Sequence, residues 1–246
     1  MQGDYQDFFQ SGYEDVQYSG SGNVERGAEI VYVIDGTGSM KNLLEAAKNN
    51  ALGMHQRISE ALKNKNGILK MLRIKVIVFR DIYVDSQPLV QSPDFFSFPE
   101  EAEQFRRFIE SIQASGGGDE PESGLEALHL AIKSNWRQNI GKMRHIIIVM
   151  TDASAHALDN PQRAVDPSFA YPTGMPESMD DLHLSWMDRQ GRLSMSAKRM
   201  ALFTPNAYPW NQIALWDMVS TNFSEAGVGL SEEDYSSVIK FISDSV

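Results

Sequence analysis

Three apolar-rich stretches punctuate the chain: "AEIVYVID" (28–35), "LRIKVIVFRDI" (72–82) and "RHIIIVMTD" (144–152). A strand with one wet face alternates apolar and polar residues. A strand apolar at consecutive positions has both faces covered. Between and after these runs the apolar residues switch to helical spacing. "KNLLEAAKNNALGMHQRISEALKNK" (41–65), "PEEAEQFRRFIESIQA" (99–114), "GLEALHLAIKSN" (124–135) and "SEEDYSSVIKFISDS" (231–245) each read as helix, the last with Ser231 as its N-cap. "KRMALFTP" (198–205) reads as a fourth central strand and "QPLVQSP" (87–93) as a short edge strand. Strands alternating with helices predict an α/β fold: a doubly wound, mostly parallel, Rossmann-like sheet flanked by helices.

Two segments stand outside that alternation. Residues 1–25 are rich in Gly, Ser, Tyr and acids and read as a flexible arm, leaving a domain at 26–246. Residues 153–197, rich in Pro, Asp and Met, are too long for a plain loop and read as an insertion at the carboxyl edge of the sheet, with a short helix in "SAHALDNPQRAV" (154–165). "TPNAYPWNQIALWDMV" (204–219) reads as a packed, structured connection.

The formal net charge is −11, which argues against nucleic acid as a partner, because phosphate binding needs a basic surface. There is no cysteine, so disulfides, thiolate metal sites and Cys nucleophiles are excluded. The first 23 residues lack the basic start and apolar middle of a secretory signal, and no apolar run approaches the ~20 residues of a membrane span. The expected location is the cytoplasm, without membrane contact.

Polar groups gather where strands end. "VYVIDGTGSM" (31–40) runs from an apolar strand into Asp35, Thr37 and Ser39. "GGGDEPES" (116–123) delivers Asp119, Glu120 and Glu122, and Thr151 and Asp152 follow "HIIIVM" directly. In open α/β sheets ligands bind outside the carboxyl ends of the strands, at a point where the strand order reverses. Such a reversal between the first and third apolar strands would bring these groups together. They are hard oxygen donors, suited to Mg²⁺, Mn²⁺ or Ca²⁺. A divalent ion would also remove the repulsion within the carboxylate cluster. The competing reading is a capped strand-to-helix turn without metal. The five histidines, His55, His129, His145, His156 and His183, show no metal-ligand spacing; His156, four residues past Asp152, is the one placed near the site. Arg80 and Asp81 read as a structural salt bridge, and the glycines at 116–118 as either a flexible connector or a backbone passing close to the site.

These motifs resemble von Willebrand factor A domains with a metal-ion-dependent adhesion site (MIDAS). The family signature after the first strand is Asp-x-Ser-x-Ser; this chain has Asp35-Gly36-Thr37-Gly38-Ser39, which keeps a hydroxyl at the middle position. Asp152 in "VMTDA" matches the family's late Asp. "DGTGSM", "FRD" and "GGGDEPESGLEAL" look most like members beside alpha-kinases and in bacterial stress or tellurite-resistance clusters. The resemblance implies metal ligation by Asp35, Thr37, Ser39, Asp152 and, where the family usually has Thr, Asp119. Glu120 or Glu122 is an alternative at that last place. Three carboxylates would over-neutralise a divalent ion and leave it less eager for an acidic partner group.

The resemblance implies a non-catalytic module whose metal face contacts a protein partner, as an adaptor or scaffold in an intracellular, bacterial stress or defence complex. Oligomeric state is not legible. Two alternatives stand beside it. In one, the metal is purely structural. In the other, the chain is a Mg²⁺-dependent phosphotransferase similar to haloacid dehalogenases, whose acid/base position holds Thr37 here and whose acidic pair would have to be Asp180-Asp181.

Overall fold

The computed structural model describes residues 24–50, 53–63, 67–85, 89–91, 94–117, 120–138, 142–161 and 171–246. The expected arm lies outside the described residues up to position 23. Val24 opens the first strand, β1 (Val24–Asp35). The others are β2 (Gly67–Phe79), β3 (Leu89–Gln91), β4 (Phe96–Phe98), β5 (Met143–Met150), β6 (Lys198–Pro205) and β7 (Val219–Ser224). The helices are α1 (Lys41–Asn50), α2 (Met54–Lys63), α3 (Ala102–Ser111), α4 (Gly124–Ile132), α5 (Met179–Trp186), α6 (Trp210–Ile213) and α7 (Glu232–Ser245).

Among the described residues the sheet runs β3-β2-β1-β5-β6-β7, with β4 also pairing β2. β2, β1, β5, β6 and β7 are mutually parallel, and β3 and β4 are short antiparallel additions to β2. The chain leaves β1 for β2 on one side, then returns to β5 on the other. The order therefore reverses between β1 and β5, and their carboxyl ends open the crevice in which such sheets bind ligands. The register Ile34↔Met150 sets Asp35 level with Thr151.

Alternate residues of the central strands feed two cores, as side chains on opposite faces must. Ile30, Tyr32 and Ile34 pack with Leu43, Leu44, Phe105, Val238 and Ile242 on one face. Val31, Val33, Ile147 and Val149 pack with Leu125, Leu128, Trp136, Trp186 and Trp210 on the other. This double burial explains the continuous apolar runs. Ser231 caps α7 in a reciprocal capping box with Asp234.

Several boundaries differ from expectation. The 41–65 pattern is two helices, with Gly53 in a turn before α2. In the 153–197 stretch the helix is α5, packed against α4. Residues 154–160 are turns and an isolated bridge rather than the expected helix, and 162–165 lie outside the described residues. β4 and β7 were not expected. β7 is mostly exposed and polar ("VSTNFS"), so it carries no apolar pattern despite parallel pairing with β6. Among the described residues no helix is long and apolar enough to cross a membrane.

Candidate metal centre

Asp35 is the last residue of β1 and its exposure is 0%. Its Oδ1 accepts the Thr37 backbone N–H at 2.8 Å, and its Oδ2 accepts the Thr151 hydroxyl at 2.6 Å. Thr37 Oγ1 lies 3.2 Å from Ser39 Oγ, which donates to Asp152 Oδ1 at 3.0 Å. The other oxygen of Asp152 accepts the Gly229 N–H at 2.7 Å. Asp35, Thr37, Ser39 and Asp152 therefore form one connected group, contributed by the ends of β1 and β5. Asp119 lies outside the described residues.

The surrounding loops are stitched to this group. Gly38 N donates to Gly116 O at 3.2 Å and Ser115 N donates to Gly36 O at 2.9 Å. Gly117 has φ of +81°, and a Cβ there would stand 2.6 Å from Thr37 Cβ, so this glycine is a close backbone approach rather than a mere connector. On the opposite side Gly229 has φ of +75°, and a Cβ would fall 2.2 Å from Ser39 O. The loop leading into α7 is thus held against the turn that carries Ser39.

Arg80 is not a salt-bridge partner of Asp81 in the expected sense. Its buried guanidinium donates to Gly36 O (3.2 Å), Ser115 O (2.8 Å) and Gln113 O (2.6 Å), joining the Asp35–Ser39 turn to the 113–117 loop. Asp81 accepts the Tyr83 N–H at 2.8 Å and faces His156 Nε2 at 3.2 Å. His156, which also lies beside Asn160 and edge-on to Tyr83, joins that second group and not the Asp35–Asp152 cluster. Glu120 is exposed and accepts from Ser154 at 3.3 Å; Glu122 is buried, its backbone paired with residues 154 and 156. Asp180 and Asp181 sit exposed in the first turn of α5, where Asp181 engages Ser178.

The von Willebrand factor A domain family matches residues 29–166. The chain belongs to that family. An alpha-protein kinase, vwkA of Dictyostelium discoideum, is 29% identical over 156 residues, which are 63% of this chain and 22% of that protein. The chain thus spans under a quarter of that relative, whose alpha-kinase context agrees with the resemblance drawn from "DGTGSM" and "FRD". Among solved structures, proximal thread matrix protein 1 from the mussel byssus superposes with a TM-score of 0.52 at 12% identity, covering 91% of this chain and 49% of that one. A form of the same protein with a zinc-occupied MIDAS motif gives 0.51 at 14%, covering 91% and 48%. The pilus adhesin SpaC of Lactobacillus rhamnosus GG gives 0.50 at 11%, covering 89% and 30%. These structural likenesses establish the fold.

The A domain's oxygen cluster fits a divalent cation by its own chemistry. Asp35 and Asp152 are both buried, and among the described residues no Lys, Arg or His pairs with either. Burial pushes the Asp35 carboxyl up to about 6. The hydrogen bonds from Thr151 and Thr37 pull the other way, and the neighbouring Asp152 charge adds to the rise. Two buried carboxylates without a cation are costly. Among the described residues no three His, Asp or Glu side chains group as a metal cage, and the hydroxyls of Thr37 and Ser39 stand beside Asp152 as further oxygen donors. Two hydroxyls, two carboxylates and water suit Mg²⁺, which takes six oxygens at ~2.0–2.1 Å and keeps some of its waters. Bound there, the ion would neutralise the carboxylates and present an electrophilic face to a ligand oxygen.

Proposed function

We propose that this A domain is a non-catalytic, divalent-metal-dependent protein-binding module, with Mg²⁺ as the working ion at a MIDAS-type site. The observation that carries this reading is the convergence of Asp35, Thr37, Ser39 and Asp152 at the β1–β5 switch point with, among the described residues, no Lys, Arg or His paired to either carboxylate. The mussel protein's zinc-occupied MIDAS supports it by likeness of fold. Asp35 and Asp152 supply the charge, Thr37 and Ser39 the neutral oxygens, and the exposed metal face meets a partner. An adaptor or scaffold role in a cytoplasmic complex, in a bacterial stress or defence setting, is the physiological form this reading takes.

Asp119 sets the character of the site in this reading. If Asp119 takes the place where the family usually has Thr, a third carboxylate reduces the ion's pull on a partner Glu or Asp, so metal is held firmly and acidic ligands weakly. Isothermal titration of acidic peptides tests both statements. Weak, EDTA-sensitive binding by wild type and tighter binding by Asp119→Thr are expected. Micromolar Mg²⁺-dependent capture by wild type would overturn the role given to Asp119. The module itself is tested by immobilising the chain with Mg²⁺, exposing it to soluble proteins of its source and eluting with EDTA. Proteins released from wild type but not from Ser39→Ala support the reading; an identical set from both contradicts it.

A further inference from the structure

The opposite edge of the sheet carries a second feature with the reverse charge. Where β5 and β6 begin, a groove of about 800 Å³ is lined by Arg137, Lys142, Arg144 and Arg189 around His145, with Ser196 at its rim. Among the described residues no Asp or Glu lines it, in a chain with 33 acids and 22 Lys and Arg. Among the described residues none of the four cations pairs with a carboxylate. Arg144 Nε donates to Ser245 O at 2.9 Å and Arg137 Nη1 to Met71 Sδ at 2.8 Å, and among the described residues no hydrogen bond or ion pair holds the Lys142 or Arg189 head groups. The acid nearest Arg189 in sequence, Asp188, faces Lys133 at 3.7 Å. Glu29 lies beneath His145 at 3.6 Å, but its carboxylate is already engaged by Arg73 and the Arg137 N–H.

The segments that carry the cations are held together by local structure. Gln138 donates to Arg192 O at 2.8 Å, tying the 137–138 turn to the 189–193 loop and so bringing Arg137 and Arg189 to one groove. His145 stacks on Trp136 (ring centroids 5.0 Å) and accepts the Ser194 N–H at 3.2 Å, forming a rigid floor. Burial together with Arg199 and Arg26 lowers the pKa of Arg144, so this corner already crowds like charges. Such crowding is costly unless an anion relieves it. Guanidinium forks match phosphoryl oxygens two at a time, and clusters of Arg are the usual reader of phosphorylated segments. A groove of this volume exceeds a lone phosphate many times over and suits a phosphoryl group with flanking chain.

We infer that the amino edge of the sheet is a docking groove for a phosphorylated segment of a protein partner, read by Arg137, Lys142, Arg144 and Arg189. It is independent of the metal face, which lies at the other ends of the same strands. Fluorescence anisotropy of the full chain with a labelled degenerate peptide library bearing one phosphoserine, against the same library with serine, tests it. The phosphorylated library binds at least about tenfold tighter, in EDTA as in Mg²⁺. Lys142→Glu with Arg189→Glu, both on exposed side chains, removes about tenfold or more of that binding without moving the thermal midpoint. Should that pair fail to fold, Lys142→Gln with Arg189→Gln gives the same reading with a smaller loss. Equal binding of the two libraries, binding untouched by the substitutions, or binding of inositol hexakisphosphate without binding of the phosphopeptides would overturn it. Loss of binding in EDTA would also overturn it, by assigning the interaction to the metal face.

Discussion

Glu29 and Asp35 lie six residues apart on β1, and each has 0% exposure, yet the fold treats them differently. Glu29 is flanked in register by Arg73 on β2 and His145 on β5. Arg73 bonds its Oε1, and the Arg137 N–H donates to Oε2 at 2.8 Å. Asp35 is flanked by Phe79 and Thr151 and, among the described residues, receives only hydroxyl and backbone N–H donors. The sheet therefore neutralises a buried carboxylate with its own cation where the role is structural. At its carboxyl edge it leaves the charge unmatched and sets Asp152 and two hydroxyls beside it. That contrast, more than the acidity of either residue, marks Asp35 as a binding group.

Breaking the structural pair should have the largest effect. Arg73→Ala leaves Glu29 buried without its cation and should cost about 3–5 kcal/mol of unfolding free energy. Denaturant melts should show the same loss in EDTA and in Mg²⁺. Asp35→Asn should do the reverse: it removes an uncompensated charge and abolishes any metal response. Wild type should gain ~2.7 kcal/mol at a hundredfold excess of metal over its dissociation constant, and Asp35→Asn nothing. Arg80→Ala should fall between the two, at about 1–3 kcal/mol: it takes the side-chain donor from Ser115 O and Gln113 O and leaves Gly36 O with the Ser115 N–H alone. It should also weaken metal binding, because the Asp35–Ser39 turn loses its tie to the 113–117 loop; calorimetric titration reads both.

The smallest effect, and the sharpest on the comparison, is the pH profile of stability in EDTA. Asp35 is raised from 3.8 to about 6, so the folded state holds its proton more tightly than the unfolded chain, and stability falls as pH rises through that window. His145 is lowered from 6.5 to about 4, chiefly by burial. The unfolded chain then binds the extra proton, and stability rises with pH from about 4 to 6.5. The two slopes oppose each other, and the wild-type profile should be shallow in that interval. Asp35→Asn should expose the rising slope and His145→Gln the falling one. Parallel profiles for all three proteins would show that neither group is perturbed as described.

The buried parallel strands β1, β2, β5 and β6 were legible because double burial writes a continuous apolar run, and "HIIIVMTD" announced both β5 and the polar residues at its end. β7 was not legible, because its face is exposed and its pairing with β6 is made through the backbone. In the same way Asp35, Thr37, Ser39 and Asp152 could be read from strand ends, since a local signal places each of them. Arg80 could not be read correctly. Its contact with Gly36 O joins residues 44 positions apart, and a neighbouring Asp81 suggested a simple pair. Gly229 carried no local signal at all; only the close passage of its loop over Ser39 reveals it.

In the proposed function Asp35, Thr37, Ser39 and Asp152 bind a divalent ion. Mn²⁺ titration of EDTA-stripped protein, followed by loss of the free-ion electron paramagnetic resonance signal, tests it most directly. Wild type should bind a single Mn²⁺ saturably and release it to Mg²⁺, and Asp35→Asn and Ser39→Ala should show no such binding. Equal Mn²⁺ uptake by wild type and both variants, or none by wild type, would contradict it and return Asp35, Thr37 and Ser39 to the role of a capped turn.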